Sequence, residues 1–225
     1  MSDDDDRRHT KVEVAQIDSS PEAVAAREAS NGLLQFDQVI EIVREYTTPP
    51  ERRFRLRPSI LLSLHRTAMQ GLTPYAGVFR PGSVSIGKSK HQPPGAHLVP
   101  EFVEEMCDYV NDQWDKKLAV HLCAYVMWRL NWIHPFADGN GRTSRAASYL
   151  VLSVKLGYVV PGSNTIPDQI SKDKKPYYSA LEVADEHWQQ GALDLSLMEG
   201  LVSTTLARQL AGIHMSATGN EYDLS

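Results

Sequence analysis

Cysteine is scarce in this chain. Cys107 and Cys123 are the only two in 225 residues, and their spacing suits neither a zinc-ligand pair nor a redox pair. A disulfide framework is therefore excluded, and both thiols are expected as reduced core residues of a cytoplasmic protein. Long apolar runs are also missing. The stretch "YLVLSVKLGYVVP" is broken by Lys155 and Gly157, far short of the ~20 residues that span a bilayer. The opening "MSDDDDRRHTKVEVAQIDSS" has no apolar segment of the secretory type. Positive charge is not in excess either: the formal net charge is −5, which gives no electrostatic ground for binding nucleic acid. The basic run "ERRFRLRPSILLSLHR" is short enough to be a solvated helix entrance. The expectation is a soluble protein with no membrane and no nucleic acid among its partners.

What is present is an ordinary globular composition, 42% hydrophobic and 23% charged. That supports one domain, or one domain with an appendage, whose core needs no metal or disulfide staple. Residues 1–20 read as a disordered acidic tail. "PEAVAAREASNGLLQFDQVIEIVREY" has helical periodicity, expected to break near "SNG" into two pieces, so residues 21–58 form N-terminal helices. "RPSILLSLHRTAMQG" is a helix closed by Gly71. "VFRPGSVSIGKSKHQPPGAHLV" alternates around Val84 and Ile86 amid turn residues and predicts a small β-hairpin flap. Helices return at "PEFVEEMCDYVNDQW" and at "KKLAVHLCAYVMWRLNWI", the second apolar nearly all round and so central and buried. "RTSRAASYLVLSVKLG", "DKKPYYSALEVADEHWQQG" and "DLSLMEGLVSTTLARQLAGI" complete a mostly α architecture, with the main domain at 59–210 and a frayed tail at 211–225.

The two most hydrophobic helices are joined by "HPFADGNGR", His134 to Arg142, with Arg145 one turn further on. A loop held between buried helices keeps its side chains in fixed positions. Gly139 and Gly141, around Asn140, are expected to permit positive φ and close approach of a ligand to the backbone. The helix beginning there offers N–H groups and a positive dipole end to an anion. Arg142 and Arg145 share a face and can both reach polyphosphate oxygens. Asp138 adds negative charge at an anion site, which calls for an intervening cation, and Mg²⁺ suits a carboxylate with phosphate oxygens. His134, titrating near neutrality, suits a general base for a hydroxyl. Base, phosphate cradle, metal ligand and charge clamp together point to transfer of a phosphorus group from a nucleotide.

"HPFADGNGRTSR" resembles the signature of the Fic (Fido) family, His-Pro-Phe-x-Asp/Glu-Gly-Asn-Gly-Arg-x-x-Arg, at every fixed position. Eight fixed positions in nine would coincide by chance on the order of once in 10¹⁰ starts. "LHRTAMQGLTPYAGVFRPGSVSIGKSKHQPP" is similar to the family's helix and flap, with Phe79 where tyrosine is common, and "KPYYSALEVAD" to a following helix. The resemblance implies a Fic-type helical bundle with a flap over the active loop. It implies a protein adenylyltransferase, an enzyme moving AMP from ATP to a Ser, Thr or Tyr hydroxyl of a target protein. In that reading His134 deprotonates the hydroxyl and Asp138 holds Mg²⁺. Gly139, Asn140 and Gly141 form the anion hole, Arg142 and Arg145 clamp the outer phosphates, and Phe136 anchors the loop.

Gly139 and Gly141 stand where branches with other chemistries carry alanine and lysine. UMP, GMP or phosphate transfer, or a nucleotide-binding module without catalysis, stay open as alternatives. Tyr177 and Tyr178 are candidates for a base pocket, against a plain core role. Val84, Ser85 and Ile86 are candidates for docking an extended target strand, against a lid. The reading leaves room for self-modification and for a homodimer.

Many family members also carry an inhibitory helix, Ser/Thr-x-x-x-Glu-Gly/Asn, whose glutamate pairs with the second arginine. "AREASN" has Ser30 where the glutamate belongs, and "SLMEG" has Glu199 with Ser196 one residue too close. A degraded brake around Ser30, leaving Arg145 available to phosphate, is the expectation.

Overall fold

The computed structural model describes residues 10–11, 20–48, 53–87 and 89–218. Apart from Thr10, Lys11 and Ser20, the expected acidic tail lies outside the described residues. Eight helices dominate: α1 (Pro21–Thr47), α2 (Pro58–Met69), α3 (Val99–Asp112), α4 (Ala119–Ile133), α5 (Asn140–Leu156), α6 (Ile166–Lys172), α7 (Lys175–Gln189) and α8 (Ser196–Thr218). Two short strands, β1 (Thr10–Lys11) and β2 (Ser85–Ile86), pair antiparallel.

The centre is α4 against α5, the most extensive helix pair in the fold. Every residue from Leu122 to Leu130 is buried, and so is every residue from Ala146 to Val154. A helix apolar on all sides must be covered on all sides. Accordingly α1 and α2 lie on α5, while α3, α7 and α8 cover α4. Cys107 and Cys123 are free and buried, and burial pushes both thiols up to about 12.

Arg129 carries its charge into this core. Arg129 is 4% exposed, and its guanidinium lies 4.2 Å from the Trp132 ring centre and 4.8 Å from that of Trp188, with Phe102 and Trp128 beyond. Its Nε and Nη1 have no hydrogen-bond partner among the described residues. Ring faces, with Glu105 at 3.5 Å from Nη2, take the place of water around the charge.

Four expectations take a different form. The first helix does not break at "SNG". Asn31 is buried in the middle of α1 and donates to the Ala68 and Gln70 carbonyls at the end of α2, so tertiary contact offsets its poor helix propensity. Among the described residues the flap does not pair with itself as a hairpin; the strand that β2 pairs with is β1, far away in sequence. The short helix α6 was invisible to periodicity, although its capping box, Thr165 with Asp168, is legible in the sequence. The chain past residue 211 stays helical to Thr218.

Leu150 is wholly buried where α5 meets α4. Leu150→Ala should lower the free energy of unfolding by about 2–5 kcal/mol, read from denaturant titration.

Candidate active site

The loop between α4 and α5 begins with a strained residue. His134 caps α4 at φ 51° and ψ 58°, the only non-glycine residue at positive φ among those described. Its N–H still donates to Leu130 O, 2.9 Å away. Such a conformation costs on the order of 1–3 kcal/mol and persists only where the surroundings impose it. Pro135 bars the helix from continuing through His134.

The surroundings are specific. Asn140, 2% exposed, accepts from Phe136 N at 2.9 Å and donates to Phe136 O at 2.8 Å, closing the loop on itself. Phe136 is fully buried and stacks on His65, with ring centres 3.7 Å apart. His65 accepts at Nδ1 from Gly77 N, 2.9 Å away, so its proton sits on Nε2, which donates to Asp138 O at 2.9 Å. Gly139 caps α5 at φ 75°, and a Cβ there would stand 2.6 Å from Met69 Sδ. Gly141, by contrast, is an ordinary helical residue. Its missing side chain gives room to Arg145, whose Nη1 would lie 3.2 Å from a Cβ. Only the first of the two glycines is needed for its dihedral angle.

The first bond inside α5 runs from Thr143 N to Gly139 O at 3.0 Å. The N–H groups of Asn140, Gly141 and Arg142 therefore precede the helical ladder, at the positive end of the dipole. Asp138 folds back, accepting from Gly139 N at 2.6 Å. Arg142 is gripped by Glu28 Oε1 at 3.2 Å and lies 3.7 Å from Asp138 Oδ2. Arg145 makes no ion pair among the described residues. Burial lowers its pKa, and the nearby Tyr177 and Tyr178 oppose that shift. Tyr177 is 2% exposed and accepts from Asn131 Nδ2 at 2.7 Å, whereas Tyr178 is half-buried. A cavity of about 480 Å³ opens between α1, α5 and the 162–171 segment, with Arg142, Arg145, Phe36 and Asp168 in its wall.

His134 is 4% exposed, and burial above all drives its pKa down to about 4, aided by the neighbouring Arg80 and His91. Nδ1 faces the Asn131 carbonyl at 3.3 Å, which fixes the proton on Nδ1 and makes Nε2 the acceptor nitrogen. The sequence-based expectation of titration near neutrality is thus corrected downward, because burial disfavours the charged imidazolium. His65 is likewise brought to about 4, chiefly by burial.

Two residues that contact the loop or its arginine escaped sequence reasoning. Arg80 donates from Nε to His134 O at 2.8 Å, from Nη1 to Gly82 O at 2.8 Å, and from Nη2 to Pro94 O. One guanidinium thereby ties both ends of the flap to the loop. The other is Glu28, two residues before Ser30, which is exposed. Of the flap candidates, Ser85 and Ile86 lie in β2, while Val84 is half-buried just before it. The second brake candidate, Glu199, is engaged elsewhere. Glu199 bonds His121 Nδ1 at 2.7 Å, and His121 in turn bonds Tyr109. His121 lies thirteen residues before His134 along α4, so Glu199 sits about 20 Å from the loop.

Residues 55–152 match the model of the Fic/DOC family. This stretch carries the chain's likeness to that family. Over 128 residues the chain is 34% identical to a protein adenylyltransferase Fic of Drosophila willistoni and 33% identical to one of Drosophila virilis, in each case covering 56% of this chain and 24% of the relative. The chain thus spans about a quarter of the length of these curated relatives. Among solved structures, it resembles Fic-1 (residues 134–508) of C. elegans, with TM-score 0.64 and 21% identity, covering 92% of this chain and 56% of that one. It also resembles a Fic domain-containing signaling protein of Bacteroides thetaiotaomicron, with TM-score 0.61 and 22% identity, covering 87% of this chain and 75% of that one. These likenesses fix the fold as Fic-type. No described helix is long and apolar enough to cross a membrane.

Both buried histidines bind protons less readily folded than unfolded, so between pH 6.5 and about 4 the unfolded chain takes up protons the folded chain refuses. Their stabilising effect is complete above pH 6.5 and fades as pH falls. Melting temperature should drop through that window, and His65→Gln should flatten part of the slope.

Proposed function

We propose that the chain transfers AMP from ATP to a hydroxyl of a target protein. The observation carrying this reading is the pairing of a neutral, αL-held imidazole with the unladdered N–H groups of α5, locked together by the Asn140–Phe136 closure.

The residues divide the work by chemistry. Nε2 of His134 accepts the proton of the attacking hydroxyl. Its low basicity is compensated by geometry, since a fixed acceptor in line with the phosphorus needs no reorganisation. N–H groups at the start of α5 take the charge that grows on the α-phosphate oxygens. Arg142 and Arg145, on the wall of the 480 Å³ cavity, take the outer phosphates. The identity of the curated relatives supports AMP as the group moved.

Magnesium fits the donor set. Among the described residues no cluster of three metal-ligating side chains exists, and Mg²⁺ commonly takes one or two carboxylates with phosphate oxygens rather than an all-protein cage. Asp138, half-exposed beside the α5 terminus, would hold it. The ion would neutralise charge between phosphates. Of the two base-pocket candidates near Arg145, Tyr177 is buried and takes the core role, which leaves half-buried Tyr178 as the one able to offer apolar surface to a nucleotide.

The flap edge is the proposed docking place for an extended target segment, whose main-chain bonds set register without reading sequence. A protein bearing an accessible hydroxyl is the partner class.

ATP labelled at the α-phosphate, supplied with Mg²⁺, should label protein, and His134→Ala should reduce the rate by at least about 10²-fold. Label arriving from the γ-position alone would replace this reading by kinase chemistry. Glu28 competes with phosphate for Arg142, so Glu28→Ala should tighten ATP binding severalfold in calorimetry. Unchanged affinity would show the ion pair to be structural.

A further inference from the structure

The edge of β2 is occupied in this structure by the chain's own N-terminal segment. Thr10 pairs with Ile86 and Lys11 with Ser85, antiparallel. Thr10 takes the register position of the flap's buried residue, since Ile86 is 7% exposed, and Lys11 that of its exposed one.

We propose that this segment is a target held in cis and that Thr10 is the acceptor hydroxyl. The inference rests on the transferase reading above and names the substrate of the same site.

Three observations carry it. First, an added strand binds through main-chain bonds, the general means by which an edge recruits an extended segment. Second, the edge is anchored to the reacting centre. Arg80 holds Gly82 and Pro94 and at the same time the His134 carbonyl, and β2 begins three residues after Gly82, within about 10 Å of chain. Third, charge favours the pairing. Residues 1–20 carry six acidic and three basic side chains, while the flap from Phe79 to Gly95 carries three basic and no acidic ones.

The hydroxyls of the first twenty residues are those of Ser2, Thr10, Ser19 and Ser20. Ser20 is engaged as the cap of α1, accepting from Ala23 N at 3.2 Å. Thr10 is the hydroxyl residue that the described register sets on the flap.

The step balances without redox change. Thr10 Oγ1 bonds to the α-phosphorus of ATP, and its proton passes to His134 Nε2. The bond from that phosphorus to the bridging oxygen breaks, and pyrophosphate leaves with the electron pair. The product is a threonyl-AMP phosphodiester.

The test uses the full chain with ATP and Mg²⁺, peptide mapping by tandem mass spectrometry, and pyrophosphate release measured in parallel. We expect AMP on Thr10 at a rate per chain unchanged by tenfold dilution, lost in Thr10→Ala and kept in Thr10→Ser. Independently of activity, Lys11→Cys with Ser85→Cys should form a disulfide on mild oxidation, because directly opposed strand residues lie within bridging distance; the native thiols are buried. If the disulfide fails to form, or if AMP is found only elsewhere, or if the rate grows with protein concentration, the assignment is overturned. With His134-dependent pyrophosphate release intact, the transferase reading survives that outcome. Absence of both pyrophosphate release and AMP brings down the transferase reading, and Thr10 as acceptor with it.

Discussion

Asn140 closes both of its polar side-chain groups onto the backbone of Phe136, and the geometry of the loop follows from that closure. It converts five residues into a rigid ring whose apolar member, Phe136, is pressed into the core against His65. With the ring fixed, His134 is forced to positive φ at one end and Gly139 at the other. The strain at His134 is sustained because each alternative conformation would break a buried hydrogen bond or expose Phe136.

Burial then decides the chemistry of the groups carried by the loop. An imidazole sealed between Arg80 and the Asn131 carbonyl stays neutral, and the carbonyl settles which nitrogen keeps the proton. Two arginines lie one turn apart on α5 but in different company. Arg142 is held by carboxylates at the rim, while Arg145 stands beside tyrosines without an ion pair among the described residues. A polyphosphate would displace a carboxylate from the first and meet no such competitor at the second.

The flap shows how a distant element is drawn into the same site. Its backbone is too short in strand to hold itself, so it relies on Arg80 at its base and on β1 along its edge. The bond from Arg80 to the His134 carbonyl and the pairing with β1 both join residues far apart in sequence.

The sequence by itself determined the helical class, the central pair α4 and α5, and the composition of the loop, because these rest on short-range periodicity and on residue types whose spacing constrains their chemistry. "HPFADGNGR" could be read as a phosphate cradle since each residue acts through its neighbours. Continuity of α1 through Asn31, pairing of β2 with Thr10 and Lys11, the clamp of Arg80, the grip of Glu28 on Arg142 and the assignment of Glu199 to His121 were decided only by tertiary structure. The contacts of Asn31, Arg80, Glu199 and Glu28 join residues between 37 and 114 apart in sequence, and the pairing of β1 brings Thr10 to the remote edge at Ile86. At such separations local pattern carries no information about which partner a polar group will find. The depressed basicity of His134 belongs with them, because burial is a property of everything packed around a residue and not of the residue.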